Sequence, residues 1–210
     1  MITLYTWTTP NGRKISIALE EMGLEYEVKP VNIGKAEQDA ADFRAISPNG
    51  KIPAIVDHDA PGGPITLFES GAILIHLAER TGKFLPASGK PRAATLEWLF
   101  WQVAGVGPMF GQLGYFAMRA PEKIPPAIDR FRDETLRLLG VMDKRLQAAP
   151  YLGGEYSIAD MATYPWIKAA STLMQPLLGE EFAKFTAVER WLKDVGNRPA
   201  VLAGMAVPNV

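Results

Sequence analysis

Apolar and β-branched residues alternate loosely over residues 2–7, ITLYTW, the pattern of a short buried strand. The period then lengthens. Ile15, Ala18, Leu19 and Met22 recur at i, i+3, i+4 and i+7, Pro10 sits where a first helical residue belongs, and Gly23 closes the run, predicting a helix over 10–22. YEVKPVNI (Tyr26–Ile33) predicts a second strand, and AEQDAADFRAISP holds a short helix stopped by Pro48. IPAIVDHD and PITLFES predict two strands joined by the turn APGG, and a helix follows from about Ser70 to Thr81. The order β-α-β-α-β-β-α describes a small α/β sandwich with a mixed sheet.

Strand patterns end at RTGKFLPASGKPRA (Arg80–Ala93), where Gly, Pro and Ser cluster as in a linker. Beyond it the period is helical. Leu96, Leu99, Phe100 and Val103 form one face, and Ile128, Phe131, Leu138, Met142 and Leu146 form another. Ser157 to Asp160 and Thr186 to Glu189 have the spacing of capping boxes before apolar runs. The expected second domain is a bundle of about five helices. This divides the chain into an α/β domain at 1–82, a linker at 83–90 and an all-helical domain at 91–210.

Composition narrows the function. With 22 basic and 23 acidic residues and no block of either sign, the chain lacks the electrostatic footprint of a nucleic-acid binder. No apolar run reaches the roughly 20 residues that span a bilayer, and the first residues lack the pattern of a signal peptide, so no membrane association and a cytoplasmic location are expected. Cysteine is absent and only His58 and His76 are present, so no metal site is expected, and any thiol chemistry needs a thiol from outside the chain.

Three stretches carry candidate chemistry, each beside a plainer explanation. In NGKIPAIVDH, Pro53 at a strand start is either an ordinary edge proline or a cis proline that presents the backbone of Ile52 to an extended peptide. In LFESGAILIHLAE, Ser70 is either a simple N-cap or, with Glu69 and the leading helix N–H groups, a receptor for an amino-acid head group. In TTPN, Thr9 and Pro10 make a good helix start, and the same hydroxyl, amide and dipole suit a thiolate.

The motifs TPNGRKI, ISPNGKIPAIVDH, LFESGAILIHLAE, LEWLFWQVAGVGPMFGQ and GGEYSIADMATYPW occur in an order that resembles the cytosolic glutathione transferases along essentially the whole chain. Within that family they are most similar to the bacterial nu class, the disulfide-bond oxidoreductase type. The resemblance implies a thioredoxin-like N-terminal domain, a helical C-terminal domain, a homodimer, and glutathione as co-substrate without a metal. It places Thr9 and Asn11 at the glutathione sulfur. Gln38, Lys51 and Ile52 would line the glycyl and cysteinyl parts, Pro53 would be the cis proline, and Glu69 and Ser70 the γ-glutamyl anchor. Arg130 matches a helical-domain arginine that reaches toward glutathione, with Arg132 as the alternative. The implied reaction is reduction of disulfides by bound glutathione thiolate. Conjugation of small electrophiles and non-catalytic binding of glutathione or a protein are the alternatives.

Overall fold

A computed structural model describes all residues, 1–210, in two compact units: 1–87 with 197–210, and 88–196. The first unit is built on a four-stranded sheet in the order β2-β1-β3-β4, with β1 at Ile2–Thr6, β2 at Tyr26–Pro30, β3 at Ala54–Asp57 and β4 at Ile65–Phe68. β1 runs parallel to β2 and antiparallel to β3, and β3 antiparallel to β4, giving the mixed sheet that the pattern predicts. The central strands β1 and β3 are almost continuously buried, whereas the edge strands β2 and β4 alternate between half-buried and exposed positions.

Helices α1 (Pro10–Met22) and α3 (Ser70–Thr81) pack together, and α2 (Ala41–Ile46) precedes β3. The buried core includes Leu4, Ile15, Leu19, Ile55, Leu74 and Leu77. Asp57, fully buried at the end of β3, accepts from His76 Nε2 at 2.8 Å and from the Arg80 guanidinium. Burial alone would raise its carboxyl, but the hydrogen bonds and charges of His76 and Arg80 outweigh burial and hold it below 3.8.

The last segment departs from the sequence-based division. Helix α11 (Pro199–Met205), expected in a helical domain running to residue 210, belongs instead to the first unit and packs on α1. Ser16 Oγ donates to Gly204 C=O at 2.6 Å, and Arg198 grips both carboxylate oxygens of Glu21 at 2.5 and 2.7 Å. The physical reason is contact between the small residues of AVLAG and an α1 face that the N-terminal segment alone leaves uncovered.

The second unit is helical throughout. α4 (Gly89–Trp101) passes through a π-helical turn at Gln102–Val106 into α5 (Gly107–Gly114), and a second π turn follows at Tyr115–Arg119. α6 (Pro125–Ala148), α7 (Ile158–Thr172), the short α8 (Gln175–Leu178) and α9 (Glu180–Ala183), and α10 (Thr186–Gly196) complete it. The Ser157–Asp160 capping box forms as expected. At Thr186 the outcome differs: the leading N–H groups of Ala187 and Val188 are taken by Asp143 Oδ1 of α6, at 2.9 and 3.2 Å. No helix is long and apolar enough to cross a membrane.

Candidate glutathione site

Strand register explains why three distant stretches of sequence meet. Tyr5 pairs with Ala54, and Ala54 with Phe68. The segment leaving β1 (Thr6–Asn11), the segment entering β3 (Lys51–Pro53) and the segment leaving β4 (Glu69–Ser70) therefore all emerge at one end of the sheet. Neighbouring strands lie about 4.8 Å apart, so the distance from the β1 end to the β4 end is about 10 Å. An extended tripeptide, at about 3.3–3.6 Å per residue, spans that length.

At the β1 end, Thr9 is the N-cap of α1 with extended backbone, and its Oγ1 accepts from Gly12 N–H at 3.2 Å. The capping role expected of Thr9 is thus present, and its hydroxyl proton is left to donate. Asn11 follows in the first turn, half-buried. Gly12 matters more than its place in a first turn suggests: a Cβ there would lie 2.5 Å from the backbone oxygen of Trp7, so only glycine lets the turn close against β1.

In the middle, the Ile52–Pro53 peptide is cis and Pro53 is buried. Ile52 packs its half-buried side chain against Val31, Phe43 and Ala54, and no backbone hydrogen bond engages its N–H or C=O. Lys51 is exposed. Its loop is held by Ser47, whose Oγ donates to Lys51 C=O at 2.9 Å and accepts from Lys51 N–H at 3.4 Å.

At the β4 end the expected detail changes. Glu69, not Ser70, is the N-cap residue of α3, with φ 70° and ψ 111° and no side-chain bond to the first turn. A glutamate with positive φ is uncommon and costs of order 1–3 kcal/mol, which points from the geometry to a functional role. Ser70 is the first helical residue, and its buried Oγ accepts from Lys14 Nζ at 3.2 Å. Lys14 is 2% exposed, and burial lowers its pKa from 10.5 to about 7 against the opposing charge of Glu69. Lys14 is not among the candidate residues that the sequence motifs single out. The available signal was its place four residues before Ala18, which puts a charge on the apolar stripe of α1.

Two further expected residues lie on other elements. Gln38 lies on a 3-10 turn at Glu37–Asp39, its Oε1 buried and unpaired. Arg130 lies on α6, exposed, in the wall of a cavity of about 590 Å³ with Met109, Phe131, Glu134 and Arg137. Its alternative, Arg132, is committed elsewhere, its Nε donating to Leu177 C=O at 2.9 Å. The histidines are structural: His58 Nε2 bonds Thr3 Oγ1 at 2.8 Å, and His76 bonds Asp57. No group of three or more His, Asp or Glu side chains is placed to hold a metal ion.

A mixed four-stranded sheet with α1 and α3 N-termini at one end, followed by a helical unit, defines a thioredoxin-like domain joined to a helical one. The family model of the glutathione S-transferase N-terminal domain matches residues 1–79, and that of the C-terminal domain matches residues 125–194. The chain belongs to the glutathione S-transferase family. It is 52% identical over 203 residues to the disulfide-bond oxidoreductase YfcG of Escherichia coli (strain K12), covering 95% of this chain and 92% of that one. It is 43% identical to the disulfide-bond oxidoreductase YghU of the same organism over 98% of this chain and 74% of the relative. Among solved structures, a glutathione transferase family member from Pseudomonas fluorescens pf-5 with two glutathione bound superimposes with TM-score 0.94 at 44% identity, covering 99% of this chain and 93% of that one. A glutathione transferase from Pseudomonas putida, with one glutathione disulfide bound per subunit, gives TM-score 0.94 at 43% identity, covering 99% and 91%.

Proposed function

We propose that this protein is a nu-class glutathione transferase that reduces disulfides with the thiolate of bound glutathione. The observation that carries this is the convergence of Thr9, Asn11, Ile52, Glu69 and Ser70 on one end of the sheet in a chain without cysteine. Such a site receives a thiol rather than supplying one.

Glu69 takes the ammonium of the γ-glutamyl residue, while Ser70 and the leading N–H groups of α3 take its carboxylate. Ile52 N–H and C=O pair with the cysteinyl backbone as an added strand would, Lys51 and Gln38 hold the glycyl end, and Arg130 is the contribution of the helical unit. The sulfur lies over the α1 N-terminus. A free thiol has a pKa of about 8.5, and lowering it by two units takes about 2.7 kcal/mol of preferential anion binding. Charge-assisted hydrogen bonds from Thr9 and Asn11, each worth roughly 1.5–3 kcal/mol, with the helix dipole, suffice.

The bound thiolate attacks one sulfur of the substrate disulfide, forming a mixed disulfide and expelling the other half as a thiolate. A second glutathione thiolate then attacks the glutathione sulfur of that mixed disulfide, releasing glutathione disulfide and the remaining substrate thiolate. The protein acts in the cytoplasm as a homodimer, with the apolar WLFWQVAGVGPMFG segment, whose Phe100 is exposed, contributing to the interface.

Turnover of hydroxyethyl disulfide by wild type and Asn11→Ala tests the assignment. A loss of kcat far larger than any accompanying change in thermal stability explains is expected, and wild-type turnover in the variant overturns the assignment. A 23.0 kDa species in sedimentation at micromolar concentration contradicts the dimer.

A further inference from the structure

We propose that Lys14 is a positioning residue of the γ-glutamyl anchor: by donating to Ser70 Oγ from inside the fold, its ammonium compels the Ser70 hydroxyl to turn its own proton toward the ligand carboxylate. This rests on the reading that Glu69 and Ser70 hold the γ-glutamyl head group.

The chemistry follows from what each group can do. An ammonium has three donors and no lone pair, so at 3.2 Å the Ser70 oxygen has to accept from it. The hydroxyl proton then has no use in that direction and is aimed outward, where a carboxylate is received and a second cation is not. A neutral amine behaves differently. It carries a lone pair, can accept from Ser70, and so draws the hydroxyl proton inward, leaving an oxygen lone pair facing an anionic ligand. The protonation state of a side chain that touches no ligand thereby sets the polarity of one that does.

Burial brings that change of state to about pH 7, where it alters binding in the working range. The surroundings are sparse in other titrating groups. Glu69 of α3 is the one whose charge reaches Lys14. Further along α3, His76 and Arg80 are bound to Asp57 of β3, and Glu79 is exposed. β1 contributes only Tyr5, which packs against Phe43 at 6.0 Å between ring centroids. α11, PAVLAGM, contributes none, and on α1 itself Arg13 is adjacent while Glu20 and Glu21 are bonded by Tyr26 and Arg198.

The probe is S-methylglutathione, whose sulfur cannot ionise, titrated into the full-length protein by calorimetry from pH 6 to pH 8.5. For wild type the Kd is expected to rise at least about fivefold across this window, as the ammonium is lost. Lys14→Gln, which keeps a neutral donor, is expected to bind within a few-fold of wild type at pH 6 with a Kd that no longer changes with pH. Lys14→Met is expected to bind about tenfold more weakly at pH 6, also without slope. A flat wild-type profile overturns the proposal without needing any variant, and so does a slope that survives in Lys14→Gln. Failure of wild type to bind S-methylglutathione at every pH instead overturns the glutathione reading itself, and is thereby told apart from a failure of Lys14 alone.

Discussion

Gly204 of α11 sits directly on Ile17 of α1: a Cβ at Gly204 would lie 2.5 Å from both the nitrogen and the Cα of Ile17. Those are backbone atoms in a buried helix and cannot move aside. Gly204→Ala should therefore push α11 off α1 and destabilise the protein by about 1–3 kcal/mol in chemical denaturation, the cost of overpacking a tight contact. Leu202→Ala, an exposed position on the same helix, should stay within about 0.5 kcal/mol of wild type. Equal effects from the two substitutions would show that the helix contact does not hold this segment.

Thr9 has two duties that substitution can separate. Thr9→Ala removes the acceptor for Gly12 N–H and should cost about 1 kcal/mol of stability. It also removes a donor proposed for the thiolate, so disulfide turnover should fall at least about tenfold, beyond what the stability loss explains. Thr9→Ser keeps a hydroxyl and should restore most of both. Loss of activity in Thr9→Ser equal to that in Thr9→Ala would mean that the methyl group, not the hydroxyl, carries the effect.

The strands and helices of residues 1–82 were legible because each is locally consistent. Pro10 and Gly23 bracket α1, and α3 runs over Ser70–Thr81 as its pattern predicts. Other features depend on distant partners and leave little local trace. Glu69 takes the capping position because the chain must turn sharply from β4 into α3, and no period in the sequence reports a positive φ. Asp143 serves the start of α10 from 43 residues before Thr186, so a local box at Thr186 looked sufficient. The attachment of α11 to α1 rests on Gly204, Ser16 and Arg198, and pairings across nearly the whole chain are invisible to windows of a few residues. Of the candidate site, the residue types were readable in three motifs, while their meeting at one end of the sheet follows from the register of Tyr5, Ala54 and Phe68.

Arg130 and Arg132 are close in sequence but differently employed. Arg132 donates to Leu177 C=O, so Arg132→Ala should lower stability by about 1 kcal/mol. Arg130 faces a cavity and caps no carbonyl, so Arg130→Ala should leave stability within about 0.5 kcal/mol. If Arg130 is the glutathione-directed arginine, its loss should raise KM for glutathione roughly tenfold, equivalent to about 1.4 kcal/mol of binding. Thermal melts and steady-state kinetics on the two variants check the assignment, and the reverse pattern would transfer the role to Arg132.

Asp160 has the densest set of donors in the helical unit. Its Oδ1 accepts from Leu152 N–H at 3.1 Å and Trp191 Nε1–H at 2.8 Å, and its Oδ2 from Ser157 N–H and Oγ–H, both at 3.1 Å. Asp160→Ala leaves several buried donors unpaired and should cost about 3 kcal/mol or more. Burial pushes the carboxyl up from 3.8 to about 6, with the hydrogen bonds from Leu152, Trp191 and Ser157 limiting the rise. The folded protein therefore holds this proton more tightly than the unfolded chain does. Ionisation costs stability above about pH 6, and that cost is relieved as pH falls from about 6 toward 3.8. Asp160→Asn cannot titrate. The stability difference between wild type and Asp160→Asn should accordingly grow as pH is lowered through this window and level off below it. Urea denaturation at a series of pH values measures that difference directly, and a difference that shrinks on acidification would mean that the four donors outweigh burial and hold the carboxylate ionised.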